Sequence, residues 1–297
     1  MVEWRDYFAM TKPKVVALLV LTAFIGMILA NDPDVRWLPP LDTLLWGNLG
    51  IALAAMGAAV INHVVDARVD AIMARTESRP IPQGKVRPLP ALLFASLLAA
   101  LSMAILLYFV NELTAWLTLF GLVGYAFVYT LYLKRATPQN IVIGGISGAV
   151  PPLLGWTAVT NEIDPQALLL VLIIYTWTPP HFWALAIARR DDYARANIPM
   201  LPVTHGVEFT KTALILYTWL LLLVTLLPYL VGMSGLIYLV GAIVLAVKFL
   251  HYAYRLKRDD RYAMPTFGYS IVYLMLLFAL FVVDHYVFFH PYMRGAA

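Results

Sequence analysis

Residues 44–70 read LLWGNLGIALAAMGAAVINHVVDARVD, and this stretch decides what kind of molecule the chain is. From Leu44 to Val65 it carries no Asp, Glu, Lys or Arg. A helix needs about 20 such residues to cross the hydrocarbon of a bilayer. Asn62, Asp66 and Asp70 then recur every fourth residue, so they line one face of the helix as it leaves the membrane. At about 1.5 Å of rise per residue, neighbours in that row stand roughly 6 Å apart along the axis. Two carboxylates in this register repel by about 0.2–0.5 kcal/mol, and a divalent cation reverses the sign. Mg2+, which takes one or two carboxylates together with water and substrate phosphates, suits the row.

Eight further apolar runs surround this one, at about 14–30, 88–110, 114–133, 141–159, 166–188, 212–231, 234–254 and 265–286. The expected fold is therefore all-α, a polytopic membrane bundle of nine transmembrane helices forming a single domain over 1–297. The whole chain agrees, being 62% hydrophobic and 13% charged, where soluble domains carry roughly 25% charged residues. That composition excludes a soluble enzyme and a disordered chain alike. The runs are continuous rather than alternating, which excludes a transmembrane barrel. Zero cysteines remove thiolate metal sites and Cys nucleophiles. Trp4, Asp6, Tyr7 and Phe8 ahead of the first run do not read as a removable leader.

In a nine-span arrangement all but two of the 21 Lys and Arg residues fall on one side, leaving only Arg36 and Arg294 on the other. That side, with the N-terminus, is expected to be cytoplasmic. Two loops there, about 66–87 and 189–211, are long and rich in ionisable residues, and they are where function is expected. The spans are nearly free of charge, which speaks against an ion-coupled carrier.

The first loop continues as Met73-Ala74-Arg75-Thr76-Glu77-Ser78-Arg79-Pro80. Two arginines four apart beside an acidic row suit a diphosphate clamp, because guanidinium groups grip phosphate oxygens in bidentate fashion. In the second loop Arg189-Arg190-Asp191-Asp192-Tyr193 follows the sixth run. Acids at a helix C-terminus oppose the macrodipole unless something positive balances them.

The row with Arg75-Thr76 and Arg79-Pro80 resembles the first aspartate motif of the UbiA-type intramembrane prenyltransferases. Thr11-Lys12-Pro13-Lys14, the stretch Leu133–Ile141, the stretch Gly148–Trp156, Trp177-Thr178-Pro179-Pro180-His181-Phe182-Trp183 and the stretch Asp192–Pro202 are similar to the branch of that family that farnesylates heme. The likeness runs from about residue 7 to about 280. It implies helices around a central cavity, Mg2+ as cofactor, and farnesyl diphosphate and protoheme IX as substrates. The implied setting is the cell inner membrane, with the lipid bilayer around the bundle and a heme A synthase or terminal-oxidase assembly as partners. No nucleic acid is expected. On this reading Asn62, Asp66, Asp70 and Asp192 are the metal-side residues, the three aspartates being catalytic. Arg75, Arg79, Lys134, Arg190 and Tyr193 bind substrate. The family's usual second D-x-x-x-D is absent, since Arg195 and Ala196 stand four residues beyond Asp191 and Asp192.

Tyr125, Tyr129, Tyr132 and Tyr175 are candidates to shield an allylic cation through their ring faces; packing or interfacial placement is the competing reading. His181, after two prolines expected to kink the sixth helix, either orients heme or bonds to a carbonyl freed by the kink. Two other functions compete with heme farnesylation: prenylation of a quinone precursor such as 4-hydroxybenzoate, and non-enzymatic carriage of heme or lipid.

Overall fold

The computed structural model describes residues 3–292, so Arg294 lies outside them. Among the described residues every regular element is helical: α1 Trp4–Met10, α2 Pro13–Leu29, α3 Leu41–Val65, α4 Ala67–Asp70, α5 Pro88–Phe109 and α6 Glu112–Val123. A π-helix, Gly124–Leu133, continues α6 into α7 Lys134–Ala136. Then come α8 Asn140–Ala149, α9 Pro151–Thr160, α10 Pro165–Ala188, α11 Arg190–Arg195, α12 Leu201–Thr204, α13 Val207–Leu230, α14 Leu236–Arg258 and α15 Ala263–Tyr292. Eight helical stretches are long and apolar enough to cross a membrane, and the α1–α2 pair, bent by 50°, makes a ninth candidate. The chain is a polytopic membrane protein, consistent with nine spans.

Proline sets several of the starts. Pro13, Pro88, Pro151 and Pro165 each occupy the first turn of a helix, where a missing N–H costs nothing. Pro151 also divides the fifth span into α8 and α9. Pro179 and Pro180, in contrast, lie inside α10, which runs unbroken through them. The two prolines do not end the helix, and Trp177, Pro179, Pro180 and Trp183 are all buried at that point.

The helices close into a ring, since α15 returns to pack on α2. At its centre α2 crosses α9 through a reciprocal contact of glycines. A Cβ on Gly26 would overlap the Pro152 carbonyl, and one on Gly155 would overlap the Ala23 carbonyl. Small residues of this kind let membrane helices approach backbone to backbone. At the outer end, the buried Asp284 carboxylate of α15 accepts the Gly235 and Tyr238 amides, capping the start of α14. Replacing Gly155 by Leu should therefore cost about 1–3 kcal/mol or more by overpacking, seen as a fall of several degrees in the melting temperature of the purified protein.

Candidate active site

The carboxylate row keeps its register on folding. The Asp66 amide bonds the Asn62 carbonyl at 2.9 Å and the Asp70 amide bonds the Asp66 carbonyl at 2.8 Å, so the helical ladder runs from α3 into α4. All three side chains are buried. Ions taken out of water are tolerated when each finds a partner, and here they do. Lys134 Nζ donates to Asp66 Oδ2 at 2.6 Å and Asn62 Nδ2 donates to the same oxygen at 2.7 Å. Lys12 Nζ donates to Asn62 Oδ1 at 2.5 Å, and Arg79 Nη1 donates to Asp70 Oδ2 at 2.5 Å. The Thr76 hydroxyl bonds the Asp70 carbonyl at 3.1 Å, which turns the first loop back so that Arg79 can reach the row.

Two local distortions bring the lysines in. Lys12, in the break just before α2, has φ of +50°, an uncommon left-handed conformation for a residue with a side chain. The bend between α1 and α2 turns its ammonium inward. Lys134 arrives by way of the π-helix. With i→i+5 bonding each residue advances roughly 80°, which sets Lys134 about two full turns past Tyr125. At the roughly 100° per residue of an α-helix it would point to the opposite side. The Thr130 hydroxyl bonds the Tyr125 carbonyl at 2.8 Å inside this wide turn.

Beneath the polar cluster lies an apolar cavity of about 280 Å³. Lys12, Tyr129 and Phe182 line its inner mouth; Ala54, Ala58 and Gly148 line its walls. The rings of Tyr125 and Tyr129 stack with centroids 5.8 Å apart and both face the cavity.

The second loop packs over the first, with Tyr193, Ile198 and Met200 buried against Met73. The Arg75 guanidinium lies beside the Tyr193 hydroxyl, whose acidity burial weakens and the Arg75 charge partly restores. Asp192 is buried but pairs with Arg195 rather than joining Asp66 and Asp70. Among the described residues no three His, Asp or Glu side chains gather as a metal-holding group. Arg190 is exposed at the start of α11. The chemistry nevertheless fits Mg2+, because Asp66 Oδ1 is buried with no hydrogen-bond partner, and such an oxygen beside Asp70 and Asn62 is a free ligand for a hard cation.

His181 stands apart from the cavity wall, between α10 and α15. Its ring stacks between Trp177 at 4.2 Å and Phe267 at 4.6 Å. Its Nδ1 meets the Ser270 hydroxyl at 2.6 Å, and that hydroxyl donates to the Phe267 carbonyl at 2.6 Å. The partner is a side chain of α15, not a freed carbonyl of α10. Lys12 is the residue whose place in the cluster the sequence did not disclose; a lysine directly before a helix-starting proline was the available signal.

A ring of membrane helices, with a buried cluster of acids and cations over an apolar cavity, defines a membrane-embedded protein built for a ligand with an anionic head and a greasy tail. The chain belongs to the UbiA prenyltransferase family of enzymes, whose sequence pattern matches residues 19–277. It is 62% identical to a protoheme IX farnesyltransferase of Marinobacter nauticus over 97% of this chain and 94% of that one. With the protoheme IX farnesyltransferase of Alcanivorax borkumensis it shares 61% identity over 96% of this chain and 94% of that one. Its fold is similar to that of a digeranylgeranylglyceryl phosphate synthase, with a TM-score of 0.78 at 17% identity over 96% of this chain and 99% of that one. It is also similar to a UbiA homolog from Archaeoglobus fulgidus bound to DMAPP and Mg2+, with a TM-score of 0.69 at 18% identity over 94% and 99%.

The Asp66–Lys134 pair should behave as a unit. Lys134→Met alone should destabilise the purified protein by about 3–5 kcal/mol, and Lys134→Met with Asp66→Asn by much less. Thermal unfolding of the two single variants and the double variant measures the coupling.

Proposed function

We propose that the protein transfers the farnesyl group of farnesyl diphosphate to a vinyl group of protoheme IX (heme B), with addition of water, giving heme O and diphosphate at the cytoplasmic face of the inner membrane. The observation that carries this reading is the stacking of Lys12, Arg79 and Lys134, around two buried carboxylates, directly over the apolar cavity. An anionic head and an isoprenoid tail are what that pairing accommodates. The similar proteins of Marinobacter nauticus and Alcanivorax borkumensis, both protoheme IX farnesyltransferases, support the acceptor. Chains 66–87 and 189–211 act as the two inner loops of one domain, and a heme A synthase or oxidase-assembly factor would receive the product.

Asn62, Asp66 and Asp70 would hold Mg2+, which when bound withdraws charge from the diphosphate oxygens. Lys12, Arg75, Arg79 and Lys134 bind the same oxygens. When the allylic C1–O bond breaks, its electron pair leaves with diphosphate, and donors already fixed by the fold bind the growing negative charge more tightly than the ground state. Tyr193 lies beside Arg75, while Asp192, paired with Arg195, holds the second loop over the head group. The stacked rings of Tyr125 and Tyr129 face the allylic cation, and the apolar walls keep water from it. The vinyl π pair forms the new bond to C1, leaving positive charge on the porphyrin-side carbon. Water adds its oxygen there and releases a proton.

Asp66→Asn and Asp70→Asn should each lower heme O formation about 100-fold or more in folded protein, as should a chelator, with Mg2+ restoring the untreated enzyme. Mass spectrometry of products from labelled farnesyl diphosphate, offered with protoheme IX and with 4-hydroxybenzoate, reads both activity and acceptor. Product on 4-hydroxybenzoate alone would overturn the heme assignment. Lys12→Met should weaken pyrophosphate binding by about tenfold, the worth of one charge-assisted hydrogen bond, measured by calorimetry.

A further inference from the structure

Of the residues lining the apolar cavity, Ile51 of α3, Thr118 of α6 and Leu154 of α9 stand furthest along their helices from the carboxylate row, and all three are buried. Ile51 and Leu154 also belong to a packed cluster with Met27 and Ala158. We infer that Ile51, Thr118 and Leu154 form a floor that limits the prenyl chain to three isoprene units. This rests on the reading that the diphosphate sits at Asp66 and Asp70 with its tail in the cavity.

The measure comes from the helix itself. Asn62, in the polar cluster, and Ile51, on the floor, lie on α3, and the run between them spans about 16 Å at roughly 1.5 Å per residue. An extended carbon chain advances about 1.2 Å per bond, so one four-bond isoprene unit covers about 5 Å and three cover about 15 Å. A fourth unit would have to enter the packed cluster, where added volume is resisted. The wall just above the floor is correspondingly small. Ala54 lies one helical turn from Ile51 toward the mouth and faces the cavity, so a larger side chain there shortens the tail space by about one isoprene unit, roughly 5 Å. Ile51 trimmed to alanine lengthens it.

The experiment offers C10, C15 and C20 prenyl diphosphates together, with protoheme IX, to the full-length protein and to Ala54→Leu and Ile51→Ala, and reads products by mass. The unaltered protein should favour C15 over both others. Ala54→Leu should move the C10-to-C15 product ratio toward C10 by about tenfold or more, the discrimination a few methylenes in an apolar pocket can give. Ile51→Ala should move the C20-to-C15 ratio toward C20 to a similar degree. Pyrophosphate affinity, measured on each variant and on Asp70→Asn, separates head from tail. Ratios that stay within about twofold of the unaltered protein's, in variants that still bind pyrophosphate, would overturn the floor alone. Unimpaired pyrophosphate binding by Asp70→Asn would overturn the head-group reading and the floor with it.

Discussion

Asp66 is a carboxylate buried where a membrane helix ends, and the inner half of the bundle is organised around keeping it paired. Its partners come from three directions: Lys134 from the end of the π-helix, Asn62 from one turn earlier in α3, and Lys12 through Asn62 from the start of α2. Removing one member of such a pair leaves an uncompensated charge and costs about 3–5 kcal/mol. The same cluster thus pins three spans together at one end of the bundle. The opposite end is tied by different means, among them the Asp284 cap on α14 and the contact of the Trp156 indole with Asp164.

Structural stability and catalysis draw on the same side chains. Lys12, Arg79 and Lys134 satisfy the row through internal bonds, yet together with Arg75 they outnumber its two carboxylates. A surplus of positive charge in a poorly solvated cleft favours an anion carrying more than one negative charge. Because the cleft opens straight onto apolar walls, the point where charge must separate in prenyl transfer coincides with the boundary between the polar cluster and the cavity. The stacked tyrosines stand at that boundary.

Much of this architecture is legible in the amino-acid order, and what is not has a physical reason. Uncharged runs of membrane length announce the spans, prolines mark several starts, and a four-residue repeat places Asn62, Asp66 and Asp70 on one face. Those signals are local. The inward turn of Lys12 depends on a backbone conformation that its residue type does not favour. The π-helix is invisible to hydropathy, since Gly124–Leu133 is apolar like the spans around it and its bonding pattern leaves no compositional trace. Asp192 is adjacent to Tyr193 in sequence, yet one turns to Arg195 and the other to Arg75. The partner of His181 lies 89 residues away, on a helix no spacing rule connects to it.

The wide winding of Gly124–Leu133 gives this segment an unusual sensitivity. Phe127 and Val128 point away from the protein interior and are about half exposed, so exchanging them for other apolar residues leaves the helical phase untouched. Adding or deleting a single residue would rotate everything beyond it by nearly a quarter turn, parting the ammonium of Lys134 from the Asp66 carboxylate. Length, rather than chemical identity, is what natural variation in this decapeptide has to conserve.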